Sequence, residues 1–406
     1  MKSTTLFTAT SLLAGAVLAL PAFAQNAPVD ARPANAPQQQ PQSADQTRAP
    51  QPQTSPEIAS EVVATGLPRL WALEFLPDRR MLVTAKAGAL HVISQDGEVG
   101  QAISGVPDVD ASGQGGLLDV ALAPDFVETG RIFLSFSEPR DGGNGTSVAS
   151  ARLVLDDDGG GRLEDPSVIF RQTPTYDGRA HYGSRLVFGP EGELYVTVGE
   201  RSDAEVRDQA QDLSSGLGKI FRIDQSGAAW PGNPFLDQEG ALPEIWSLGH
   251  RNLQAAALDG EGRLWTVEHG PRGGDELNRP QAGLNYGWPE VTYGIDYSGE
   301  PIGDGVTATT ATEQPVYYWD PVIAPSGMAY YEGSQFPEWK NAFLIGGLVT
   351  RDVVVVHLDN DRVAFEDRVP IGARVRDVKV GPDGAVYAVT ESRSGSSEIL
   401  RLTAAD

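Results

Sequence analysis

Five histidines stand at positions 91, 181, 250, 269 and 357, the residue type whose unperturbed side chain changes charge near neutral pH. No cysteine accompanies them, which excludes disulfides, thiolate zinc sites, iron–sulfur clusters and a thiol nucleophile. His91 and His357 fall inside apolar strand-like runs and read as structural. His181 stands apart, in the polar run Asp177-Gly178-Arg179-Ala180-His181-Tyr182-Gly183-Ser184-Arg185 just ahead of a strand. The glycines around it permit close approach of a ligand, and imidazole has the proton affinity of a general base at neutral pH. A lone loop histidine is usually structural, so a partner matters. Gly199-Glu200-Arg201 ends the following strand at the same edge, where the Glu200 carboxylate can orient the imidazole and raise its basicity. The plainer alternative is a solvated Glu200–Arg201 cluster, worth little.

Cations and oxygen donors recur elsewhere. Gly249-His250-Arg251-Asn252 follows the strand ending Trp246-Ser247-Leu248, and Arg251 offers a planar fork to a carboxylate or developing oxyanion. Glu268-His269-Gly270-Pro271-Arg272-Gly273-Gly274-Asp275-Glu276 is dense in glycine, proline and acid. Carbonyls freed by such turns, with carboxylates, suit Ca²⁺, which takes roughly six to eight oxygens, although the spacing is not that of an EF-hand. Gly113-Gln114-Gly115-Gly116 is a flexible loop carrying one amide. Arg374-Val375-Arg376 sets two guanidiniums on one face of a strand, an arrangement that calls for an anion between them. Together these segments predict an anionic, multi-carboxylate ligand beside a metal.

The elements that must hold them are short. From residue 60 onward no long 3.6-residue periodicity occurs; strand-like runs alternate with Gly, Pro and Asp turns. A turn followed by an apolar strand recurs as Leu76-Pro77-Asp78 into Met81–Thr84, Ala123-Pro124-Asp125 into Ile132–Ser135, and Gly189-Pro190-Glu191 into Leu194–Thr197. It recurs again as Asp259-Gly260-Glu261 into Leu264–Val267, a degenerate Glu338-Trp339-Lys340 into Ala342–Ile345, and Gly381-Pro382-Asp383 into Ala385–Val389. Six copies predict an all-β fold, a six-bladed propeller of four-stranded antiparallel sheets, in preference to a β-sandwich pair or a β-helix. Glu61–Thr65 precedes the first copy and is expected to complete the last blade, closing the ring.

Residues 1–24 read as a secretory signal, with Lys2, an apolar core Leu12–Leu20 and the Ala22-Phe23-Ala24 cleavage site. The apolar run is far short of the ~20 residues that span a bilayer, so no membrane span is expected. An exported, cysteine-free chain suggests the periplasm. Residues 25–57, rich in Pro, Gln and Ala, are expected to be a disordered linker, and 58–406 the propeller domain. The charge of 31 − 55 = −24 argues against nucleic acid as a partner.

The blocks from Gly113-Gln114-Gly115-Gly116 to Phe126, Leu217-Gly218-Lys219-Ile220-Phe221-Arg222, Gly249-His250-Arg251-Asn252, Gly283-Leu284-Asn285-Tyr286-Gly287-Trp288-Pro289, Ala324-Pro325-Ser326-Gly327-Met328 and Arg374-Val375-Arg376-Asp377-Val378 stand in one order. In that order they resemble the soluble glucose/sorbosone dehydrogenase family, closest to bacterial periplasmic aldose sugar dehydrogenases. The resemblance runs from about Glu61 to Leu402. It implies a six-bladed propeller that uses pyrroloquinoline quinone (PQQ) and Ca²⁺ to oxidise aldose sugars to lactones, with electrons leaving to an external acceptor. It implies His181 as general base and Glu200 as its acidic partner. Arg251 would stabilise charge on the quinone and Asn252 contact it. Gln114, Arg374 and Arg376 would hold PQQ carboxylates and carbonyls, with Ser326 and Gly327 lining the cofactor and Tyr297 a further contact. Carbonyls of Gly270 and Pro271 would bind the calcium beside PQQ, and Glu276 and Tyr286 a second, structural calcium. A monomer or homodimer is expected.

Two departures stand out. The acidic partner is commonly Asp in that family, and the longer Glu200 is expected to shift the base. Val349 occupies the place of a cofactor-contacting lysine in the fifth repeat, so that one anion contact is missing or is taken over by Arg351. Two other activities remain open from the residues: a Ca²⁺-dependent propeller lactonase and a non-catalytic binding propeller.

Overall fold

The structure, a computed structural model, describes residues 27–156, 159–392 and 395–405. The expected signal segment, residues 1–24, lies outside them, as do the first two residues of the expected linker. Among the described residues no helix is long and apolar enough to cross a membrane.

Runs rich in Val, Ile, Leu and aromatics, cut by Gly, Pro and Asp turns, form short antiparallel strands because such side chains pack well on a pleated, buried surface. Six sheets result. Blade 1 is Leu70–Phe75, Met81–Ala85 and Ala89–Ile93. Blade 2 is Leu117–Leu122, Arg131–Arg140, Gly143–Leu155 and Gly161–Arg171. Blade 3 is Leu186–Phe188, Leu194–Val198, Lys219–Ile223 and Ile245–Leu248. Blade 4 is Leu253–Leu258, Leu264–Glu268, Asp275–Asn278 and Tyr317–Trp319. Blade 5 is Pro325–Tyr330, Ala342–Gly347, Asp352–Asp359 and Arg362–Pro370. Blade 6 is Arg374–Val380, Val386–Glu391, Ser397–Ala404 and, from the other end of the chain, Ile58–Leu67. That last pairing, with Val62 opposite Leu400 and Leu67 opposite Ser397, closes the ring as the sequence predicts.

Blade 1 departs from the four-stranded expectation. Its sheet has three strands, and the fourth place is taken by an irregular segment in which Gly100 N donates to Val92 O and Ile103 N to Leu90 O, both at 2.8 Å. The turn unit read from the sequence is the hairpin between the first and second strand of each blade. First strands touch one another in cyclic order around the axis. Their approach is close: a Cβ on Gly327 would lie 1.8 Å from Asp377 Oδ1, so blade 5 meets blade 6 there only as glycine.

Hydrophobic cores fill the gaps between blades. Trp71, Leu82 and Leu90 meet Leu117, Ile132 and Phe136 between blades 1 and 2. Trp265 and Leu277 meet Phe343 and Val354 between blades 4 and 5. Truncating a fully buried ring such as Trp265 costs about 3–5 kcal/mol. Arg185 stands on the axis between blades, its Nη1 3.0 Å from Asp119 and 3.2 Å from Asp377, with its guanidinium 4.3 Å from the centre of the Trp71 ring. This ties blades 1, 2, 3 and 6 beneath the mouth.

The expectation of a disordered linker is corrected. Residues 27–57 lie as a strap over blades 4 and 5. Asn35 N and Ala36 N donate to the Asp320 carboxylate, Ala49 N to Tyr317 Oη, and Glu366 N to Pro50 O. Arg48 Nη2 donates to Asp320 O at 2.6 Å, and Ala36 and Ala49 are buried. A segment without its own core is ordered here because the outer strands supply both apolar cover and hydrogen-bond partners. Proline, with φ already set, also loses less entropy on docking.

Candidate active site

The site residues gather where first strands begin and second strands end, on one face of the ring. His181 sits in the loop between blades 2 and 3 with φ of 51°, a left-handed conformation uncommon for a non-glycine residue. Its Nδ1 is 2.7 Å from Glu200 Oε2, and its backbone N donates to Gln114 Oε1 at 2.9 Å. Ser202 N also donates to Glu200 Oε2, at 3.1 Å. Burial lowers the His181 pKa below its ordinary value, only partly offset by Glu200 and deepened by Arg251. Burial alone would raise Glu200, but His181 and Arg251 outweigh it and hold the carboxyl below its usual range. The pair is therefore a neutral imidazole donating Nδ1–H to an ionised carboxylate. That tautomer leaves the Nε2 lone pair as the basic atom. The longer Glu200 reaches the imidazole in full hydrogen-bond contact.

Arg251 opens the loop that leads into blade 4. Its Nη1 donates to His269 O at 3.0 Å and Gly270 O at 2.8 Å, its guanidinium lies 5.0 Å from the Trp288 ring centre, and its buried Nε has no partner. Asn252 Oδ1 accepts from Gly183 N at 3.2 Å and from Gln254 Nε2 at 3.3 Å, while its buried Nδ2 has no partner. Behind Arg251 lies a wholly buried relay: Ser247 Oγ is 2.9 Å from His250 Nε2, and His250 Nδ1 is 2.9 Å from Glu268 Oε1. Glu268 Oε2 accepts the Arg251 backbone N at 2.6 Å, so this Ser–His–Glu set orients Arg251 rather than offering a nucleophile.

Between these groups and blades 1, 5 and 6 is a cavity of about 380 Å³. Gln114, Tyr182, Gly183, Asn252 and Gln254 line one side; Arg69, Lys86, Arg374, Arg376 and Glu391 line the other. The anion expected between Arg374 and Arg376 is the chain's own Glu391: Oε2 is 2.6 Å from Arg376 and 3.6 Å from Arg374, and Oε1 is 3.5 Å from Arg69. Burial would raise Glu391, but Arg376 and its neighbours bring it down to about 2. Four cations against one carboxylate still leave 4 − 1 = +3 on this wall, and Arg376 Nε is buried without a partner.

The Glucose / Sorbosone dehydrogenase family pattern matches residues 67–401. The chain belongs to that family. The aldose sugar dehydrogenase YliI of Escherichia coli (strain K12) is 44% identical over 349 residues, 84% of this chain and 92% of that one. The crystal structure of the soluble aldose sugar dehydrogenase of Escherichia coli in the apo-form has 43% identity and a TM-score of 0.81, covering 86% of this chain and 100% of that one. The PQQ-bound aldose sugar dehydrogenase of Streptomyces coelicolor has 30% identity and a TM-score of 0.69, covering 86% and 99%.

Not every residue expected of a glucose/sorbosone dehydrogenase lines the cavity: His181, Glu200 and Arg251 are not among its lining residues, although Tyr182 and Asn252, next to His181 and Arg251 in the chain, are. Ser326 Oγ is 2.9 Å from Gly346 O and 2.7 Å from Val375 O, pinned between inner strands, and Gly327 is packed on Asp377. Neither lines the cavity, because both serve the close approach of blades 5 and 6. Tyr297 is 72% exposed on the long blade 4 loop and is not among the lining residues. Val349 lines the fifth-blade wall; the exposed Arg351 does not replace the missing cation.

At the expected calcium positions, Gly270 O already accepts Arg251 Nη1, and Gly270 N donates to Asp275 Oδ1 at 2.8 Å. Burial pushes Asp275 up to about 7. Glu276 stands opposite Glu268 in register, Asn278 Nδ2 donating to both at 3.2 and 3.0 Å, and burial with the Glu268 charge raises Glu276 well above the carboxylate range. Tyr286 stacks on His250 at 4.8 Å. Among the described residues no three His, Cys, Asp or Glu side chains converge as a metal site, so main-chain oxygens would be needed in any cation's shell.

Sequence reasoning missed Arg69, Lys86, Gln254, His269 and Glu391. One signal was available: Lys86, Glu200, Glu268 and Glu391 all stand at or just past the end of the second strand of their blades, so Glu200's position in the repeat marks the others.

Proposed function

We propose that this chain is a periplasmic, PQQ- and Ca²⁺-dependent dehydrogenase that oxidises aldose sugars at the anomeric carbon to lactones and passes electrons to an external acceptor. The observation that carries the reading is a neutral, carboxylate-oriented imidazole beside a cavity with three surplus positive charges. The residues present fit a polycarboxylate quinone: Arg251 Nε, Asn252 Nδ2 and Arg376 Nε are buried donors without partners. Gln114, Asn252, Arg374 and Arg376 would hold PQQ, and carbonyls of Gly270 and Pro271 the calcium beside it. Glu276, next to Glu268 and Tyr286, would help hold a second calcium, since two neighbouring buried carboxylates favour a divalent cation.

When bound, PQQ with Ca²⁺ as Lewis acid supplies the acceptor for hydride leaving the anomeric carbon. His181 Nε2 takes the proton of the anomeric hydroxyl. Glu200 stabilises the imidazolium that forms and keeps the ring in register, while burial excludes water from the pair. Arg251, held by Glu268 and by the carbonyls of His269 and Gly270, presents fixed positive charge where negative charge develops. A lactonase or a non-catalytic propeller would leave the cationic wall without a task.

The test is direct. Purified protein is titrated with PQQ with and without Ca²⁺, and its absorption spectrum is followed during addition of a panel of aldoses with an artificial acceptor dye. We expect a Ca²⁺-dependent bound-quinone spectrum, bleached by aldoses and restored by the dye. Absence of any PQQ-dependent spectral change, or of bleaching by every aldose, overturns the reading.

A further inference from the structure

Blade 1 contributes a cation to the cavity that the mechanism above does not use. Lys86 follows the strand Met81–Ala85 and is 6% exposed. Its Nζ donates to Gly113 O at 3.0 Å, one bond for an ammonium that carries three donors. Of the four cations on this wall it is the one without a carboxylate: Glu391 pairs with Arg69, Arg374 and Arg376, and Lys86 makes no ion pair among the described residues. Burial, with Arg376 and Arg69 nearby, pushes its pKa down to about 8, and Glu391, which is not in contact with it, offsets this only in part, so the ammonium is charged at neutral pH without a carboxylate of its own. A buried charge facing a cavity without a counter-ion is unfavourable until an anion arrives. The fifth-blade wall, where Ala324, Leu348 and Val349 line the cavity, offers no charged side chain, so an anion entering the cavity is directed to blades 1 and 6. Gly113, the acceptor of the Lys86 bond, precedes Gln114, which holds the His181 backbone; the same lysine thus braces the loop beside the base.

We propose that Lys86, with Arg69, is the blade 1 half of an anion clamp whose blade 6 half is Arg374 and Arg376, and that Lys86 binds a carboxylate of the quinone cofactor. This rests on the function proposed above. The clamp draws on residues from both ends of the ring, so its two halves meet only because the chain closes on itself.

The experiment measures binding, not turnover. Wild type, Lys86→Gln and Lys86→Arg are titrated with PQQ and with its trimethyl ester, which keeps the quinone and loses the carboxylate charges. Gln keeps a donor for Gly113 O without the charge; Arg keeps the charge. We expect Lys86→Gln to weaken PQQ binding at least tenfold, Lys86→Arg to stay within threefold of wild type, and the ester to bind wild type and Lys86→Gln alike. Lys86→Gln binding PQQ within twofold of wild type overturns the clamp. So does equal weakening of PQQ and ester, which makes Lys86 only a brace of the Gly113 loop. Wild type that binds neither compound overturns the functional reading and the clamp with it. Should Lys86→Gln fail to fold, Arg69→Gln, at a side chain 44% exposed, replaces it: PQQ binding unchanged in that variant overturns the clamp, and at least threefold weakening supports it.

Discussion

His181 Nδ1 lies 2.7 Å from Glu200 Oε2, and water reaches almost none of either side chain. A neutral imidazole whose Nδ1–H is committed to a buried carboxylate has one basic atom left, Nε2. Replacing His181 by Gln should preserve PQQ binding and the fold while lowering turnover by ~10²–10⁴, the usual worth of a general base. Steady-state oxidation within threefold of wild type, in protein that still binds PQQ, would remove His181 from the chemistry.

The pH profile should carry the same signature. Burial holds the His181 pKa below its ordinary value, and the base works only when neutral. Activity should therefore be level from neutrality down past about pH 6.5, the unperturbed histidine value, and fall only at lower pH. Glu200→Gln withdraws the one nearby charge that raises the pKa, so it should lower kcat and move the acid limb lower still. A kcat/KM profile whose acid limb is centred above 6.5 would contradict the assignment.

Arg376 bonds Glu391 on one side and Gln254 Oε1, at 3.1 Å, on the other, and its Nε remains unused. A charge-assisted hydrogen bond is worth about 1.5–3 kcal/mol. Arg376→Ala should weaken PQQ binding roughly 10- to 150-fold. An unchanged titration midpoint would place the cofactor elsewhere.

Glu276, beside Glu268, is proposed with Tyr286 to hold a stabilising calcium. With a chelator present, burial and the Glu268 charge, which raise the Glu276 pKa, make this carboxyl a cost to folding at neutral pH, and Glu276→Gln should melt at or above the wild-type temperature. With Ca²⁺ present the order should reverse, because a ligand that binds only the folded state raises stability by mass action. Equal calcium-induced shifts in wild type and variant, read by scanning calorimetry, would remove Glu276 from the metal site.

The strap is open to deletion. Removing residues 27–56 exposes the Tyr317–Trp319 edge of blade 4 and leaves Asp320 and Glu366 short of partners. With each lost hydrogen bond worth about 0.5–1.5 kcal/mol, the melting temperature should fall by roughly 5–10 °C. An unchanged melting temperature would make the strap ornamental.

What the sequence determined by itself is local and repeated. Turn chemistry at Leu76-Pro77-Asp78 and its five counterparts, each followed by an apolar run, dictates hairpins and therefore blades. Closure by Ile58–Leu67 follows from one strand left over at the start and one edge left open at the end. His181, Glu200 and Arg251 could be singled out as candidates because they stand in polar, glycine-containing runs at strand ends, whereas Asn252 entered only through the family resemblance. Partnership across the ring was not legible. That Glu391 pairs with Arg374 and Arg376, that Lys86 lacks such a partner, and that Ser326 spends its hydroxyl on two inner-strand carbonyls depend on how far apart neighbouring first strands stand. The ordering of residues 27–57 likewise depends on what blades 4 and 5 leave uncovered. A charge or a proline-rich segment takes its meaning from the surface it meets, and only closure of the six blades around the axis brings those surfaces together.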